Sequence, residues 1–458
     1  MIPEGFFDSA TATVTASAPG RLDVIGGIAD YSGSLVLEMP IAEATEVTAA
    51  KRSDGILRVF SENAVSINAP SLAEFTIADI TPSTNDHPYA NFRQAVPAGC
   101  DWSGYVIGCF LVLERERGIR FTGCDLYVRS DVPTAKGVSS SASLEVATMC
   151  AISSLFEVQL NGNDIPALCQ KVENEVVGAP CGLMDQLTCY HGQDGELLPI
   201  LCQPDAVGSG IKIPKGVCFA GIDSGVRHAV SGASYGDVRT SAFMGFSIIA
   251  SQLGLEPGEL QRARKTGDRS KLPFSGYLAN VGRDQFDREF AEQLPEVIRG
   301  SEFLERWGVT IDPVTEVNPD SDYGVRAATL HPVYEHDRVS RFMELLGDLE
   351  NTPDVSSRLN LKERLGDLMV QAHESYNACG LGNDVTDDIV RKVMTVGPAG
   401  GVYGAKITGG GSGGTVCVLA DKPGGVSCVR SIAEEIRRES GTPPFLFLGS
   451  SDGARWKR

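Results

Sequence analysis

Three consecutive serines, Ser139, Ser140 and Ser141, follow a single glycine, Gly137, and lead into an apolar run in the stretch PTAKGVSSSASLEVATMC. Leu144, Ala147, Ala151 and Leu155 recur at three- and four-residue steps, which predicts a helix that starts at the serines. The first N–H groups of a helix have no intrahelical acceptor and carry partial positive charge, so an anion docks there with little added machinery. Gly137 lets that backbone come close. The three hydroxyls can cap the helix, donate to phosphate oxygens, or supply an oxygen to magnesium, which demands oxygen ligands. An ordinary serine cap is the plain alternative. The string lacks the G-x-x-x-x-G-K-[ST] pattern, so this is not a Walker A loop.

A second glycine-rich stretch, KITGGGSGGTVCVLA, contains G-x-G-x-x-G at Gly409, Gly411 and Gly414. The dinucleotide fingerprint needs a helix directly after it, whereas TVCVLA is β-rich and a helix is predicted only from about Val429. The glycines therefore read as a tight connection into a strand. The histidines form no HExxH string, which speaks against a metal site of that kind.

The elements that must position these residues alternate between strand and helix patterns. TATVTASAPGRLDVIGG alternates from Thr11 and breaks at Pro19-Gly20, a turn signal that places Arg21 just beyond it. EATEVTAA and ILRVFS read as strands, Thr81 to Pro88 as a loop, and Trp102 to Arg117 as a helix. Leu168, Val172 and Val176 define another helix ending at Gly178, followed by the turn GAPCGLMDQ. Asp185 falls in that turn or just inside the next helix. LLPILC closes a first domain, residues 1–210, with a linker near residues 206–210; VCFAGIDSGVRHAV opens a second, residues 211–458. The basic run RARKTGDRSK reads as a solvated loop.

With 458 residues, two or more domains are expected. Forty basic and fifty-nine acidic residues give a net charge of -19, which argues against a nucleic-acid partner and means that an anionic ligand must be held locally. The twelve cysteines contain no C-x-x-C pair and come no closer than the eight-residue spacing of Cys181 and Cys189, a pattern of reduced thiols. No basic segment leads into an apolar one at the start, and no window approaches a membrane span. A cytoplasmic protein without membrane association is expected.

Five motifs in order carry a resemblance: APGRLDVIGGIADYSGSLVLEMPI, GVSSSASLEVAT, VENEVVGAPCGLMDQ, SGVRHAVSGASYGDVR and KITGGGSGGTVCVL. Together they resemble the GHMP small-molecule kinases, and within them the galactokinase branch, over nearly the whole chain. GRLDVIGGIADYSGSLVL is most similar to the L-arabinokinase group of that branch. The resemblance implies a two-domain α+β fold with the active site in the interdomain cleft. It implies ATP as co-substrate, Mg2+ as cofactor, and a small sugar as the other partner. Asp185 would orient the sugar C1 hydroxyl, with Arg21 beside it. Ser141 and Glu173 would hold magnesium, while Gly137, Ser139 and Ser140 would surround the ATP phosphates and Trp102 would flank adenine. Asp30, Gly182 and Tyr235 would bind the sugar.

Phosphoryl transfer asks for charge neutralisation and in-line positioning and for little covalent work, which suits an arginine, a metal and carboxylates. Taken without the resemblance, Asp185 reads as a helix-start cap and Glu173 as a solvated helix position. At Gly27 and Ile28 the chain departs from the family's GEHTDY by reading GGIADY. In galactokinases the glutamate and histidine there face the sugar, the glutamate reaching toward the C6 hydroxyl. Their loss points to L-arabinose, which lacks that group, as the substrate of an ATP-dependent sugar 1-kinase. A galactokinase and a non-catalytic sugar sensor are the alternatives.

Overall fold

The computed structural model describes residues 2–8, 11–80, 89–226 and 233–457. The predicted loop over residues 81–88, and most of VRHAVSG, lie outside the described residues. Strand β1 (Thr13–Ile25) alternates buried and partly exposed residues to Ser17, then is buried throughout from Ala18, so its second half runs through the interior. Pro19-Gly20 is not a turn. The strand continues through it, and its pairing with β2 (Leu35–Lys51) shifts register between Pro19 and Arg21 and again between Asp23 and Ile25. Proline cannot donate to the ladder, and such an irregularity re-aims the side chain that follows, here Arg21.

The first sheet continues with β3 (Ile56–Ser61), β4 (Leu72–Thr76) and β5 (Cys124–Ser130). Three further strands, β6 (Glu196–Leu201), β7 (Ala206–Val207) and β8 (Ile211–Lys212), extend it, and the predicted linker at residues 206–210 instead begins with β7 and runs back along β6, with which both β7 and β8 pair antiparallel. The second sheet begins with β9 (Val217–Asp223). A two-residue ribbon, β10 (Ile298–Arg299) with β11 (Asp322–Tyr323), stands apart. The remaining strands are β12 (Val402–Ile407), β13 (Thr415–Asp421), β14 (Leu446–Phe447) and β15 (Arg455–Lys457). The first sheet has the path β15-β1-β2-β5-β3-β4 with β6 also on β2; the second is β12-β13-β9-β14 and wholly antiparallel. The final strand thus returns to the sheet that holds β1.

Ten helices matter for the site and its support. They are α1 (Gly104–Arg117), α2 (Ser140–Leu155), α3 (Asp164–Lys171), α4 (Met184–His191), α5 (Ala233–Gln252) and α6 (Pro257–Thr266). After them come α7 (Val325–Asn351), α8 (Val355–Ala378), α9 (Asp384–Val396) and α10 (Gly424–Ser440). The basic run is not all loop: Arg262 to Thr266 close α6, where Arg262 pairs with Glu259 one turn back at 2.7 Å. Helix α10 starts five residues before the predicted Val429. Gly425 permits it, because a Cβ there would lie 2.2 Å from the Gly401 carbonyl oxygen.

One core lies between the first sheet and α1–α4, with Val47, Leu126, Val146 and Ile152 at its centre. Another joins the two halves: Leu22, Val24 and Ile25 of β1 pack with Phe219 of β9, Phe342 of α7, Met369 of α8 and Leu419 of β13. The interior half of β1 is therefore gripped from both sides, which fixes Arg21 and Asp23. None of the helices, among the described residues, is long and apolar enough to cross a membrane.

Candidate active site

The serine stretch departs from an ordinary cap. Ser139 has φ 59, in the left-handed region, and makes no capping hydrogen bond to α2. Its hydroxyl is buried and has no partner among the described residues. One turn further in, the Ser143 hydroxyl lies 2.8 Å from both the Ala18 carbonyl and the Thr45 hydroxyl, which seats α2 on β1 and β2. The loop before the helix is clasped by both halves of the molecule. Arg21 N–H donates to the Val138 carbonyl at 3.1 Å, and Thr415 Oγ1 donates to the Lys136 carbonyl at 2.8 Å. Gly20 makes room for this, since a Cβ there would meet the Val138 carbonyl at 2.5 Å. Lys136 itself reaches Asp223 of β9 at 2.6 Å.

Arg21 is buried and donates to Asp185 Oδ1 from Nε at 2.9 Å and from Nη2 at 2.7 Å; Nη1 donates to the Gly137 carbonyl at 2.7 Å. Glu38 Oε2 lies 3.3 Å from its Nε. Burial alone would lower the Arg21 pKa, but Asp185, Glu38 and Asp23 outweigh it and hold the guanidinium charged. Asp185 stands in the first turn of α4, inside the helix and not in the preceding turn.

Glu173 is not a solvated helix position. After α3 the chain widens into a π-helical turn over Val172–Val177, and within it Glu173 is buried. Gly178, at φ 86, ends the turn, and both Gly178 and Ala179 donate N–H bonds at 2.9 Å to the Glu173 carbonyl. Its carboxyl accepts from Gln186 Nε2 at 2.8 Å and from the Ser141 hydroxyl. Burial, and next the charge of Asp185, push its pKa up to about 7. Gln186 also reaches Glu145 Oε2 at 3.4 Å, one helical turn beyond Ser141.

Asp30 sits on the short helical segment Gly27–Ser32, buried, with the Tyr31 N–H donating to Oδ1 at 2.7 Å. Burial first and Asp185 second push its pKa up to about 7, while Arg239 opposes them. Gly182 leaves room for that carboxyl: a Cβ would fall 1.7 Å from Asp30 Oδ2 and force the side chain to move. Tyr235 stands edge-on to Tyr31 with ring centroids 6.1 Å apart.

These residues converge. Arg21, Ile28, Asp30, Gly137, Ser139, Ser140, Ser141, Glu173, Gly182, Asp185, Tyr235 and Gly410 line one pocket. Ser140, Ser141 and Glu173 also line an adjoining, more apolar cavity with Trp102, Tyr105, Ile67 and Val132. The serine stretch is thus the wall shared by a small pocket lined by the charged groups and a larger, more apolar one. Gly27 is the exception to the expectation. It does not line the pocket; its missing side chain would point at the Tyr376 hydroxyl, 1.7 Å away.

Several supports were not read from the sequence. Lys406 and Asp23 form a fully buried ion pair at 2.6 Å, and Gly27 N–H donates to the other Asp23 oxygen at 3.1 Å. Arg239 binds Asp312 through two bonds of 2.8 Å and donates to the Cys181 carbonyl at 3.0 Å, bracing the turn that carries Gly182. Strand β12 is buried at every position, so Lys406 has no solvent-facing side to use, and a lysine there needs an acid. All twelve cysteines are free thiols.

The pocket can hold a polar ligand between Asp30 and Asp185 and an anionic group against the serine backbone. Ser141 and Glu173, already in contact, are hard oxygen donors that fit a divalent cation supplied with further oxygens by phosphate and water. Among the described residues no three acidic, histidine or cysteine side chains gather as a metal site of their own.

Residues 4–51 match the galactokinase galactose-binding signature, 104–193 the GHMP kinases N terminal domain, and 357–435 GHMP kinases C terminal. The chain is 37% identical to L-arabinokinase of Arabidopsis thaliana over 98% of its own length, and spans 47% of that protein. It is 29% identical to galactokinase of Chloroflexus aggregans over 89% of its length and 84% of that protein's. Its fold matches Lactococcus lactis galactokinase, crystallised with galactose, at a TM-score of 0.74 and 18% identity over 98% of this chain and 96% of that one. L. major mevalonate kinase follows at 0.54 and 14%, with 97% of each chain covered.

Proposed function

Since the chain belongs to the GHMP kinases, in their galactokinase branch, and is a sugar kinase with the α+β fold of that family, we propose that it transfers the γ-phosphoryl group of ATP to the anomeric hydroxyl of L-arabinose, giving L-arabinose 1-phosphate and ADP. The observation that carries the proposal is the contact of Arg21 with Asp185 between the Asp30 side of the pocket and the serine loop.

In this reading Asp30 and Tyr235 hold ring hydroxyls and Gly182 lies against the sugar. Asp185 accepts the C1 hydroxyl and orients it toward the γ-phosphate. In a loose transition state that proton leaves late, so an orienting carboxylate is enough. Arg21, kept charged by its acidic neighbours, faces the phosphoryl group as negative charge shifts onto the leaving oxygen. Gly137, Ser139, Ser140 and the start of α2 receive the phosphates, and Trp102 flanks the base. Ser141 and Glu173 would hold Mg2+, which when bound neutralises phosphate charge.

One observation supports L-arabinose over D-galactose. Ile28 puts an aliphatic side chain in the pocket wall where the galactokinase motif has histidine. A hydroxymethyl group entering there finds no partner, at a cost of about 1–3 kcal/mol. The test is ADP release from ATP and Mg2+ over a panel of free sugars, with 31P NMR of the product. Rapid turnover of L-arabinose to an anomeric phosphate is expected; sugar-dependent thermal stabilisation without ADP would identify a sensor and refute the proposal.

A further inference from the structure

Tyr376, on α8, is fully buried and reaches into the seam between the Gly27–Ser32 segment and the glycine loop over residues 408–414. Its hydroxyl accepts from the Ile28 N–H at 3.0 Å and donates to the Gly409 carbonyl at 2.8 Å. The ring is held too: His331 stands edge-on at 5.3 Å, and Lys406 Nζ lies 5.3 Å from its centroid. A Cβ at Gly27 would come within 1.7 Å of the hydroxyl and 2.9 Å of the ring carbon that bears it.

Gly27 is therefore glycine chiefly because the phenol fills the space a side chain would take, with Asp23 Oδ2 2.7 Å from the same point and φ at +41 adding to the restriction. Through the same hydroxyl, the segment that carries Ile28 and Asp30 is tied to the loop that carries Gly410, and all three residues line the sugar pocket. We propose that Tyr376 is a specificity-determining residue: it excludes any side chain at position 27 and pins Ile28 in the pocket wall. It does so without touching the sugar, so it is a positioning residue for Ile28. Ile28 can close the pocket against a larger sugar only while its backbone cannot withdraw, and the bond from its N–H to Tyr376 prevents withdrawal. The inference rests on the L-arabinose reading of the pocket.

Tyr376→Phe tests it, because the ring and its packing stay while both hydrogen bonds go. The expected result is a folded protein in which the ratio of kcat/KM for L-arabinose over D-galactose falls about tenfold. The change should come from a lowered KM for D-galactose, with kcat for L-arabinose and the KM for ATP within about twofold of the unmodified protein. A second variant pair reads the packing: Gly27→Ala should lose L-arabinose efficiency, and Tyr376→Leu should restore part of it in the double variant, a coupling that two independent structural defects would not show. An unchanged sugar ratio in Tyr376→Phe, or additive losses in the pair, would overturn the inference. If the unmodified protein prefers D-galactose, the L-arabinose reading itself fails, and this inference with it; a preference for L-arabinose that Tyr376→Phe leaves undiminished refutes this inference alone.

Discussion

Both hydrogen bonds from Arg21 to Asp185 end on the same carboxylate oxygen, Oδ1, at 2.9 and 2.7 Å. Neither uses Oδ2. The guanidinium thus anchors Oδ1 while the other oxygen keeps its lone pairs for a ligand in the pocket that Asp185 lines. A carboxylate held in this way is placed to accept a hydrogen bond from a ligand hydroxyl.

Asp185→Asn is nearly isosteric but removes the charge and sets an amide against Arg21. Turnover is expected to fall by about 10²-fold or more, with ATP binding and melting temperature close to those of the unmodified protein. Steady-state kinetics with nucleotide-binding calorimetry check it, and near-normal turnover would remove Asp185 from its assigned role.

Ser141→Ala and Glu173→Gln each delete an oxygen proposed for magnesium. The Mg2+ concentration for half-maximal rate should rise about tenfold or more, and excess Mg2+ should rescue at least one variant in part, because phosphate and water still supply ligands. Defects that ignore Mg2+ concentration would leave these residues a structural role only.

Asp30 and Glu173 carry pKa values of about 7 in the folded chain, raised by burial above 3.8 and 4.5. Between those limits the folded state binds more protons than the unfolded one, so stability falls as pH rises through that window and levels off above it. The ligand-free protein should melt higher at about pH 5.5 than at about pH 7.5, and Asp30→Asn should flatten that slope. A melting profile for Asp30→Asn parallel to the unmodified one would contradict the assignment.

The Asp23–Lys406 pair has no exposure on either side. Lys406→Met leaves Asp23 buried without its cation and is expected to cost about 3–5 kcal/mol in urea unfolding, whereas Asp23→Asn with Lys406→Met should recover much of that loss. A double variant no more stable than Lys406→Met would show that the pair is not the source of the effect.

What the sequence made legible was local. GVSSSAS marked the glycine-serine loop and the helix behind it because glycine, serine and periodic apolar residues act over a few positions. ILRVFS is a strand with the predicted limits for the same reason. Arg21, Asp30, Glu173 and Asp185 became legible as a group only through motif resemblance, since spacing alone cannot bring positions so far apart together. Lys406 and Tyr376 stayed hidden because their partners, Asp23 and Ile28, are 383 and 348 residues away and meet them only where the two halves pack. The surroundings of Gly27 stayed hidden for that same reason: Tyr376, across the seam, stands where its side chain would go. The Pro19-Gly20 break was a bulge because β2 stays paired with β1 on both sides of it.

The most direct test of the account is kcat/KM for L-arabinose against D-galactose, measured by ADP release on one preparation with ATP and Mg2+ held constant. A pocket closed by Ile28 predicts a clear preference for L-arabinose with residual D-galactose activity, since an apolar wall rejects an added hydroxyl only about a hundredfold. Equal or greater efficiency on D-galactose would contradict the account.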